Sequence, residues 1–309
     1  MIHLPSPLSP LPSPNIIAII QARMDSSRLP GKVLLDIGGR PMLQWVVERT
    51  RRAKTVDEVI VATTTDPSDD AVAQFCEAKG YPVTRGSIHD VLDRYYQTAR
   101  QFKADVIVRI TADCPLIDPA LVDGTVFSLF EIGDWRLKAE SPISNLKSPI
   151  FDFVANRLPP PWGRTYPIGL DTEVFTFDAL ERAWKRAIAR HHREHVTPYF
   201  YEDTPVDHLK FSVQGSEFSS AMTLDGLHIA LLHHDPDYGR LRWTVDTPAD
   251  LELVRAIVAH FDSRDDFTWQ DVLAIFEREP ELAQINASVR HKTHLDVDDR
   301  SVNQEAVNQ

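Results

Sequence analysis

The segment from Ile16 to Lys32 constrains the fold of this chain more than any other part of the sequence. It begins with an apolar run, Ile-Ile-Ala-Ile-Ile, and a strand that is apolar on both faces is typical of the centre of a parallel sheet. Polar and cationic residues follow at once, in a loop that contains Pro30 and Gly31. Because parallel sheets bind phosphates at the carboxyl ends of their strands, we predict an anion-binding loop here.

This loop differs from the two common phosphate-binding motifs. A Walker A motif needs a glycine where Ser26 stands and a Ser or Thr where Val33 follows Lys32. The dinucleotide fingerprint G-x-G-x-x-G is also absent after the strand. A solvated surface loop could carry the same mixture of residues. The alternative is that the loop holds a polyanion through side chains, chiefly Arg23, Arg28 and Lys32, which stand together in a chain of net charge -12.

Strand and helix patterns alternate after this loop. The expected elements are a helix at 42–53, a strand at 59–63, a helix that Asp66 caps and Gly80 ends, a strand at 82–85, a helix at 90–102 and a strand at 106–111. Parallel strands need crossover connections, which the helices supply, so the pattern predicts an α/β fold with a doubly wound, mostly parallel sheet. The loops after these strands should then share one edge of the sheet.

The second half of the chain is less regular. From 131 to 168 the pattern lapses around a proline cluster, and we interpret this segment as an irregular insertion or lid. Further strands are expected at 169–175, 208–213 and 241–245, and further helices at 178–189, 247–261 and 269–279. The expected organisation is a proline-rich disordered leader (1–14), one domain (15–286) and a polar tail (287–309).

Composition excludes several classes of protein. The chain has 45 acidic and 33 basic residues, which argues against nucleic acid as the main partner, because binding of nucleic acid needs a broad basic face. No apolar run is long enough for a membrane span, and the leader lacks the features of a secretory signal. Cys76 and Cys114 are the two cysteines, and we expect reduced thiols in a cytoplasmic protein.

Two carboxylates stand after apolar segments that we expect to be strands. Asp113 follows the strand at 106–111, and Asp246 follows the segment at 241–245. Each alone could be a helix cap or a turn carboxylate. Together with a cationic loop they predict a magnesium site beside a bound polyphosphate, because Mg²⁺ takes one or two carboxylates and fills its shell with phosphate oxygens and water.

At these residues a family resemblance becomes specific. The run Q-A-R-M-D-S-S-R-L-P-G-K, followed by Leu34, Gly38, Gly39 and Pro41, resembles the N-terminal signature of the cytidylyltransferases that make CMP-activated sugar acids, and within them the spore coat polysaccharide biosynthesis protein F subgroup. The resemblance implies a nucleotide-diphospho-sugar transferase (GT-A-like) fold for the domain at 15–286. It also implies CTP as substrate and Mg²⁺ as cofactor.

Later motifs extend the resemblance to particular residues. Asp113 in TADCPLIDP matches the first metal-binding Asp of that family, although Ala112 replaces the usual Gly, and Asp246 in WTVDTPADLELV matches the second. The resemblance implies a catalytic set of Lys32, Arg23 and Asp113. The nucleotide contacts that it implies are Gln21, Ala22, Arg23, Ser27, Arg28, Lys32, Thr63, Arg109 and Asp113.

Two further motifs point to the sugar. The phrases GLDTEVF and REHVTPY resemble elements of the spore coat subgroup and imply sugar contacts at Asp171, Glu173 and His195. Ile168 stands where the subgroup has a polar residue.

The implied reaction is transfer of CMP from CTP to a sugar acid, with release of pyrophosphate, for surface polysaccharide or glycoconjugate biosynthesis. Two alternatives stay open, a glycosyltransferase of related fold that uses a nucleotide-sugar, and a non-catalytic nucleotide-binding protein. A homodimer is common among resembling proteins. The sequence does not decide which sugar acid is activated, because the shape of the pocket sets that choice.

Histidines cluster in two places. His191, His192 and His195 lie on one helical stretch, but they lack the acid of the zinc motif H-E-x-x-H. We interpret this stretch as a solvated helix face. His233 and His234 are interpreted in the same way, as part of a polar loop.

Overall fold

The apolar run that opens the domain forms the central strand of the sheet. In the computed structural model, which describes residues 13–130, 149–160, 162–204, 209–213 and 216–290, this strand pairs in parallel with a neighbour on each side. Ile17 and Ile19 pack on one face of the sheet, while Ile16, Ala18 and Ile20 pack on the other. Successive residues of a strand point to opposite faces, so an apolar strand can be buried on both.

The described strands fall into one large sheet and two short hairpins. In chain order they are β1 (Ile16–Gln21), β2 (Asp36–Ile37), β3 (Arg40–Pro41), β4 (Glu58–Thr64), β5 (Val83–Gly86), β6 (Val106–Thr111), β7 (Phe153–Ala155), β8 (Arg157–Leu158), β9 (Gly163–Arg164), β10 (Glu173–Thr176), β11 (Leu209–Val213), β12 (Ser216–Met222) and β13 (His228–His233).

The described helices cover both faces of this sheet. They are α1 (Met42–Thr50), α2 (Asp70–Lys79), α3 (Val91–Gln101), α4 (Pro119–Phe130), α5 (Phe177–Arg186), α6 (Arg190–His195), α7 (Pro198–Tyr201), α8 (Pro248–Ala259) and α9 (Trp269–Arg278). Apolar residues of α1, α2, α4, α8 and α9 join the core on one face, and those of α3, α5 and α7 join the core on the other.

The order of the strands places a binding site. The large sheet runs β11-β12-β13-β7-β10-β6-β1-β4-β5, and its β6-β1-β4-β5 part is parallel. The predicted doubly wound sheet is confirmed in this part. The chain moves outward from β1 to β5 and then returns to the other side of β1 as β6, so the strand order reverses between β1 and β6. Ligands bind at such a reversal, outside the carboxyl ends of the strands.

Local sequence signals account for several helix ends. The Asp66 carboxylate accepts a hydrogen bond from the Ser68 amide at 2.8 Å and caps a short 3-10 turn that leads into α2. Gly80 ends α2 with a positive φ of 66°, a conformation that glycine adopts without steric cost. Thr247 and Asp250 form a reciprocal capping box at the start of α8.

The prediction of a strand at 241–245 was wrong. The segment is extended but forms only an isolated bridge, in which Ile168 pairs with Arg242. Its backbone is anchored on two sides, because the Trp243 amide donates to Ile168 O at 2.7 Å and the Val245 amide donates to Asp113 O at 2.9 Å. Its apolar pattern reflects the burial of Trp243 and Val245 in the core rather than membership of a ladder.

The other half of the sheet, in which β7 and β13 pair in parallel and the remaining pairs are antiparallel, was only partly expected. β10 overlaps one predicted strand and β11 falls within another, but no strand was predicted at β7, β12 or β13. β12 reads Ser-Glu-Phe-Ser-Ser-Ala-Met, which has no clean alternation. The predicted insertion at 131–168 is described from residue 149 onward, where it contributes β7, β8 and β9. Residues 1–12 and 291–309, which contain most of the predicted leader and tail, and residues 131–148, the first part of the predicted insertion, lie outside the described residues.

None of the helices in the described part of the chain combines the length and the apolar character that a membrane crossing needs.

A glycine substitution tests how the 241–245 segment is held. Gly169 has a φ of +105°, and a Cβ added there would lie 2.5 Å from the Thr244 amide nitrogen and 2.7 Å from the Trp243 carbonyl carbon. We expect Gly169→Ala to lower the free energy of unfolding by more than about 3 kcal/mol, because it adds a steric clash to an unfavourable φ. Urea denaturation measures the change.

Gly163 is the matched control for this test. Its φ is +103°, nearly the same as that of Gly169, but a Cβ there meets nothing within 4 Å. Gly163→Ala should therefore cost only about 1–2 kcal/mol for the backbone conformation. Equal losses in the two variants would contradict the role assigned to the contact with Trp243 and Thr244.

Candidate functional site

A cleft of about 350 Å³ opens at the carboxyl ends of β1 and β6. One wall is the loop after β1, and the opposite wall is built from β8 and the α6–α7 region. The lining residues are Gln21, Arg23, Asp25, Ser26, Ser27, Arg28, Lys32, Val33, Arg109, Thr111, Ala112, Asp113, Arg157, Glu173, Glu194, His195, Thr197, Tyr201 and Asp246.

Lys32 is the central residue of the cleft. Its side chain is almost fully buried, at 9% exposure. The ammonium donates to Asp113 Oδ2 at 2.8 Å, to Asp246 Oδ1 at 2.9 Å and to the Val245 carbonyl at 2.8 Å. All three protons of the ammonium therefore have acceptors, and the loop after β1 is tied to the end of β6 and to the segment before α8.

The loop that carries Lys32 is closed by its own backbone. The Gly31 amide donates to Met24 O at 2.8 Å, and Gly31 has a φ of 69°. This turn leads directly into a 3-10 helix at Lys32–Leu34. The turn therefore fixes the backbone from which the side chains of the loop reach the cleft.

Charge pairing outweighs burial at this centre. Burial alone would lower the pKa of Lys32, but Asp113 and Asp246 raise it above its ordinary value. Burial alone would raise the pKa of Asp246, but Lys32 and Arg28 hold it well below its ordinary value. Lys32 and Asp246 are therefore both charged near neutral pH.

The second oxygen of Asp246 is fixed by two arginines. Arg28 Nη2 lies 2.8 Å from Asp246 Oδ2, and Arg242 Nη2 lies 2.7 Å from the same atom. Arg242 is itself held by the buried carboxylate of Asp250, with Nε at 2.9 Å from Oδ1, and Asn286 donates to that oxygen at 2.9 Å. The sequence analysis did not predict that Arg242 and Asp250 hold Asp246. The spacing of four residues from Arg242 to Asp246, and again from Asp246 to Asp250, could have indicated these contacts.

Asp113 is held by hydroxyl and backbone groups as well as by Lys32. The Thr111 hydroxyl donates to Asp113 Oδ1 at 2.5 Å, and the Thr244 hydroxyl donates to Asp113 O at 3.0 Å. The neighbouring Cys114 is buried, and burial raises the pKa of its thiol well above the ordinary value. Cys114 is therefore a neutral thiol and a poor nucleophile.

Arg109 and Glu173 form the floor of the cleft. Arg109 Nη1 lies 2.5 Å from Glu173 Oε2, and Arg109 Nη2 donates to Gln21 Oε1 at 3.1 Å. The other oxygen of Glu173 accepts a hydrogen bond from the Thr197 hydroxyl at 3.1 Å. Burial opposes the charge on Arg109, but Glu173 outweighs it and raises the pKa of the guanidinium. This floor is preorganised and polar.

Two arginines of the cleft, Arg23 and Arg157, have guanidinium groups that make no hydrogen bond or ion pair with the described part of the chain. Both side chains line the cleft. A guanidinium presents a planar fork that matches carboxylate and phosphate oxygens. Arg157 was not predicted, because it lies in a proline-rich segment with no clear pattern.

The remaining predicted residues are placed as follows. Ser27 lines the cleft, and Ala22 lines a small side cavity together with Arg23 and His195. Asp171 lies in an adjoining cavity that shares Asp113 and Glu173 with the cleft. Its carboxylate accepts a hydrogen bond from Arg164 Nη2 at 3.0 Å.

Thr63 is the predicted residue that lines neither the cleft nor the two cavities beside it. Its side chain is fully buried in β4, and it is absent from the lining. Its predicted contact with a nucleotide has no support in this geometry. The cleft lies at the ends of β1 and β6, whereas β4 lies on the other side of β1.

The donor set of the cleft fits a divalent cation bound with a polyphosphate. Asp113 and Asp246 each accept a hydrogen bond from the Lys32 ammonium through one carboxylate oxygen. Both carboxylates can therefore contact a single bound cation. Two carboxylates are what Mg²⁺ takes from a protein when phosphates and water complete its shell.

The fold and the site together define a class. A charged cleft in which a lysine pairs with two carboxylates, at the reversal point of a parallel sheet, is typical of α/β enzymes that act on nucleotides. The family model described as cytidylyltransferase matches residues 17–234. The chain belongs to the cytidylyltransferase family, and it is therefore a nucleotidyltransferase.

Curated relatives agree with this assignment. An uncharacterized protein from Methanocaldococcus jannaschii is 36% identical, over 92% of this chain and 100% of the relative. The spore coat polysaccharide biosynthesis protein SpsF of Bacillus subtilis is 28% identical, over 87% of this chain and 97% of the relative. A 3-deoxy-manno-octulosonate cytidylyltransferase from Geobacter sulfurreducens is 45% identical, but over only 38% of this chain and 46% of the relative.

Solved structures share the fold. A cytidylyltransferase from Leptospira borgpetersenii superposes with a TM-score of 0.70 and 28% identity, over 90% of this chain and 99% of that one. A CMP:2-keto-3-deoxy-manno-octonic acid synthetase complexed with CTP superposes with a TM-score of 0.52 and 22% identity, over 79% of this chain and 98% of that one. The predicted nucleotide-diphospho-sugar transferase fold is confirmed.

The lowered pKa of Asp246 makes a prediction about pH. A carboxylate whose folded-state pKa is depressed stabilises the fold above its unfolded-state pKa of about 3.9, and this stabilisation is lost as the pH falls. We expect Asp246→Asn to lower the free energy of unfolding by about 2–4 kcal/mol at pH 7. The difference from the wild type should shrink as the pH is lowered through 4, in denaturant titrations at several pH values.

Asp225 provides the control for this measurement. Its carboxylate pairs with Arg186 at 2.9 Å, but both side chains are exposed. Asp225→Asn should therefore change stability at pH 7 by less than about 1 kcal/mol. A loss for Asp246→Asn that is as small as this, or that does not depend on pH, would contradict the charge pairing assigned to the cleft.

Proposed function

We propose that the protein transfers CMP from CTP to a sugar acid and releases pyrophosphate, as a step in the biosynthesis of a surface polysaccharide or glycoconjugate. The observation that carries this proposal is the convergence of Lys32, Asp113 and Asp246 in one cleft that also holds two arginines whose guanidinium groups bond to none of the described residues. The named relatives support the substrate class, since SpsF is a polysaccharide biosynthesis protein and the Geobacter relative acts on 3-deoxy-manno-octulosonate.

The loop after β1 supplies the triphosphate side of the reaction. Arg23 is free to bind phosphate oxygens, and Arg28 and Lys32 can exchange a carboxylate for a phosphate without leaving the cleft. These cations would offset the charge that develops on the departing pyrophosphate. Gln21, Ala22, Ser27 and Arg109 would complete the nucleotide contacts.

The opposite wall supplies the sugar side. Arg157 offers an unpaired guanidinium to the carboxylate of the sugar acid. His195 on this wall, Glu173 on the floor and Asp171 in the adjoining cavity offer acceptors and donors for hydroxyl groups. The two substrates would then meet between the walls, with the sugar hydroxyl near the α-phosphate.

Asp113 and Asp246 would hold Mg²⁺, which when bound polarises the α-phosphate and lowers the pKa of the attacking hydroxyl. The chain's own residues position the two substrates for an in-line displacement. A bond forms between the sugar oxygen and the α-phosphorus, the bond from the α-phosphorus to the pyrophosphate oxygen breaks, and the hydroxyl proton is released. The sequence and the site single out no general base for that proton.

The direct test is pyrophosphate release. The purified protein is incubated with CTP, Mg²⁺ and each member of a panel of 2-keto sugar acids, and the other nucleoside triphosphates are run in parallel. We expect release with CTP and at least one sugar acid. Transfer of sugar from a nucleotide-sugar without pyrophosphate release would instead indicate a glycosyltransferase, and CTP binding without turnover would indicate a non-catalytic protein.

Substitution of Asp113 tests the carboxylate pair. Asp113→Asn keeps the shape of the side chain but removes a charge beside Lys32, and we expect pyrophosphate release to fall by at least about 10²- to 10³-fold. The exposed Asp203→Asn is the control and should leave the rate unchanged. Thermal unfolding verifies that both variants are folded, and substantial activity in a folded Asp113→Asn protein would refute the assignment.

The two unpaired arginines allow the two walls to be tested separately. Arg23→Ala should raise the KM for CTP by about 10- to 100-fold and leave the KM for the sugar acid within about 3-fold, because it removes a charged hydrogen bond from one substrate alone. Arg157→Ala should show the reverse pattern. Steady-state kinetics with each substrate varied in turn distinguishes them, and equal effects on both KM values would contradict the division of the cleft.

The cytoplasmic location and the homodimer expected from the sequence stay predictions.

A further inference from the structure

Outside the cleft, two imidazoles and a carboxylate converge on one point of the α6–α7 region. His191 Nε2 lies 2.6 Å from Glu202 Oε2, and His192 Nε2 lies 2.7 Å from the same oxygen. One ligand atom from each of the three side chains lies within 4.8 Å of the others, and in the described part of the chain this is the group of three such residues that could hold a metal ion. We propose that His191, His192 and Glu202 bind a divalent transition metal ion of the zinc type.

The chemistry of this donor set differs from that of the cleft. Imidazole nitrogens suit Zn²⁺, Cu²⁺ and Ni²⁺, whereas Mg²⁺ prefers oxygen ligands alone. Two His and one Glu form a recurrent zinc set in which the fourth position is left to water. Bonds of about 2.0–2.2 Å from one ion can reach all three atoms after small rotations of the side chains.

The three side chains are partly exposed, which leaves room for an ion to enter. The exposures of their side chains are 41% for His191, 16% for His192 and 27% for Glu202. The His192 ring packs edge-on against Tyr199 at 5.8 Å between centroids, which restricts its orientation. The site is therefore open to an ion on one side and packed on the other.

The sequence motif is not the familiar one. In H-E-x-x-H two histidines stand four residues apart on one helix, whereas here adjacent histidines of α6 meet a glutamate that caps α7. The chain must reverse between them, and it does so at Val196, where φ is 70°. A β-branched residue in this conformation is strained, so an ion that joins the two helices would stabilise the turn.

This turn belongs to the wall of the cleft. Glu194 and His195 line the cleft directly before it, and Thr197 binds the floor residue Glu173 directly after it. An ion bound to the outer side of α6 and α7 would therefore restrain the wall that faces the sugar acid. The site is distinct from the cleft, because none of its three ligands lines the cleft.

The test uses the full chain, stripped with EDTA and then titrated with Zn²⁺ against a chromophoric zinc chelator, with Mg²⁺ in large excess to occupy sites built from oxygen ligands. We expect one Zn²⁺ per chain. His191→Ala and His192→Ala should each weaken binding by about 100-fold or more, and Glu202→Gln, which keeps the size of the side chain, by at least about 10-fold. Thermal unfolding verifies that each variant is folded.

His260→Ala is the matched control. His260 also faces a glutamate, with Nε2 at 3.4 Å from Glu279 Oε2, but it has no second histidine beside it, so its loss should leave zinc binding unchanged. Asp113→Asn should also leave it unchanged. Absence of saturable binding, or binding that survives the His191→Ala and His192→Ala double substitution, overturns the proposal. Binding lost in Asp113→Asn does so as well, because the ion would then lie in the cleft.

Hydrogen exchange tests the link to the wall. Zn²⁺ should slow amide exchange in residues 190–202 by about 5-fold or more in the wild type and have no such effect in His191→Ala. Unchanged exchange in the zinc-bound wild type would refute the restraint on the wall. This measurement needs no substrate, so its result is independent of the proposed transfer reaction.

Discussion

The ion pairs of Lys32 with Asp113 and Asp246 are the interaction on which the site depends. A buried ammonium is costly unless it is paired and fully hydrogen-bonded, and Lys32 meets this requirement only because two separate parts of the chain supply its three acceptors. The loop after β1, the end of β6 and the segment before α8 are therefore held in one arrangement by one side chain. Breaking any of these contacts leaves the buried ammonium with one acceptor fewer.

The network also indicates how an acidic protein would hold the polyanion that the proposed function requires. Asp246 is bound by Lys32, Arg28 and Arg242, so that three cations are kept in place around a carboxylate. A phosphate that enters the cleft can replace the carboxylate as the partner of the first two, and a divalent cation can take over the oxygens that they release. The cations do not need to be reorganised, which is the condition under which fixed charges contribute most to catalysis.

Support from outside the cleft makes this arrangement rigid. Arg242 is aligned by Asp250, and Asp250 is fixed by the cap of α8 and by Asn286. The extended segment that carries Asp246 is anchored to Ile168 and Asp113 rather than to a sheet, and this explains why a pattern of burial was mistaken for a strand. The opposite wall depends on the turn at Val196, which joins the two helices that carry His192 and Glu202.

The sequence by itself determined the parallel core, the position of the cationic loop and the family, because these rest on local signals: an all-apolar strand, a run of cations after it and helix caps such as Asp66 and Gly80. Only the tertiary structure decided which side chains meet. It brought Arg157 into the cleft, excluded Thr63, joined Asn286 to Asp250 and set His191 and His192 against Glu202. Contacts of this kind depend on how separate segments pack, and such packing produces no periodic pattern in the sequence.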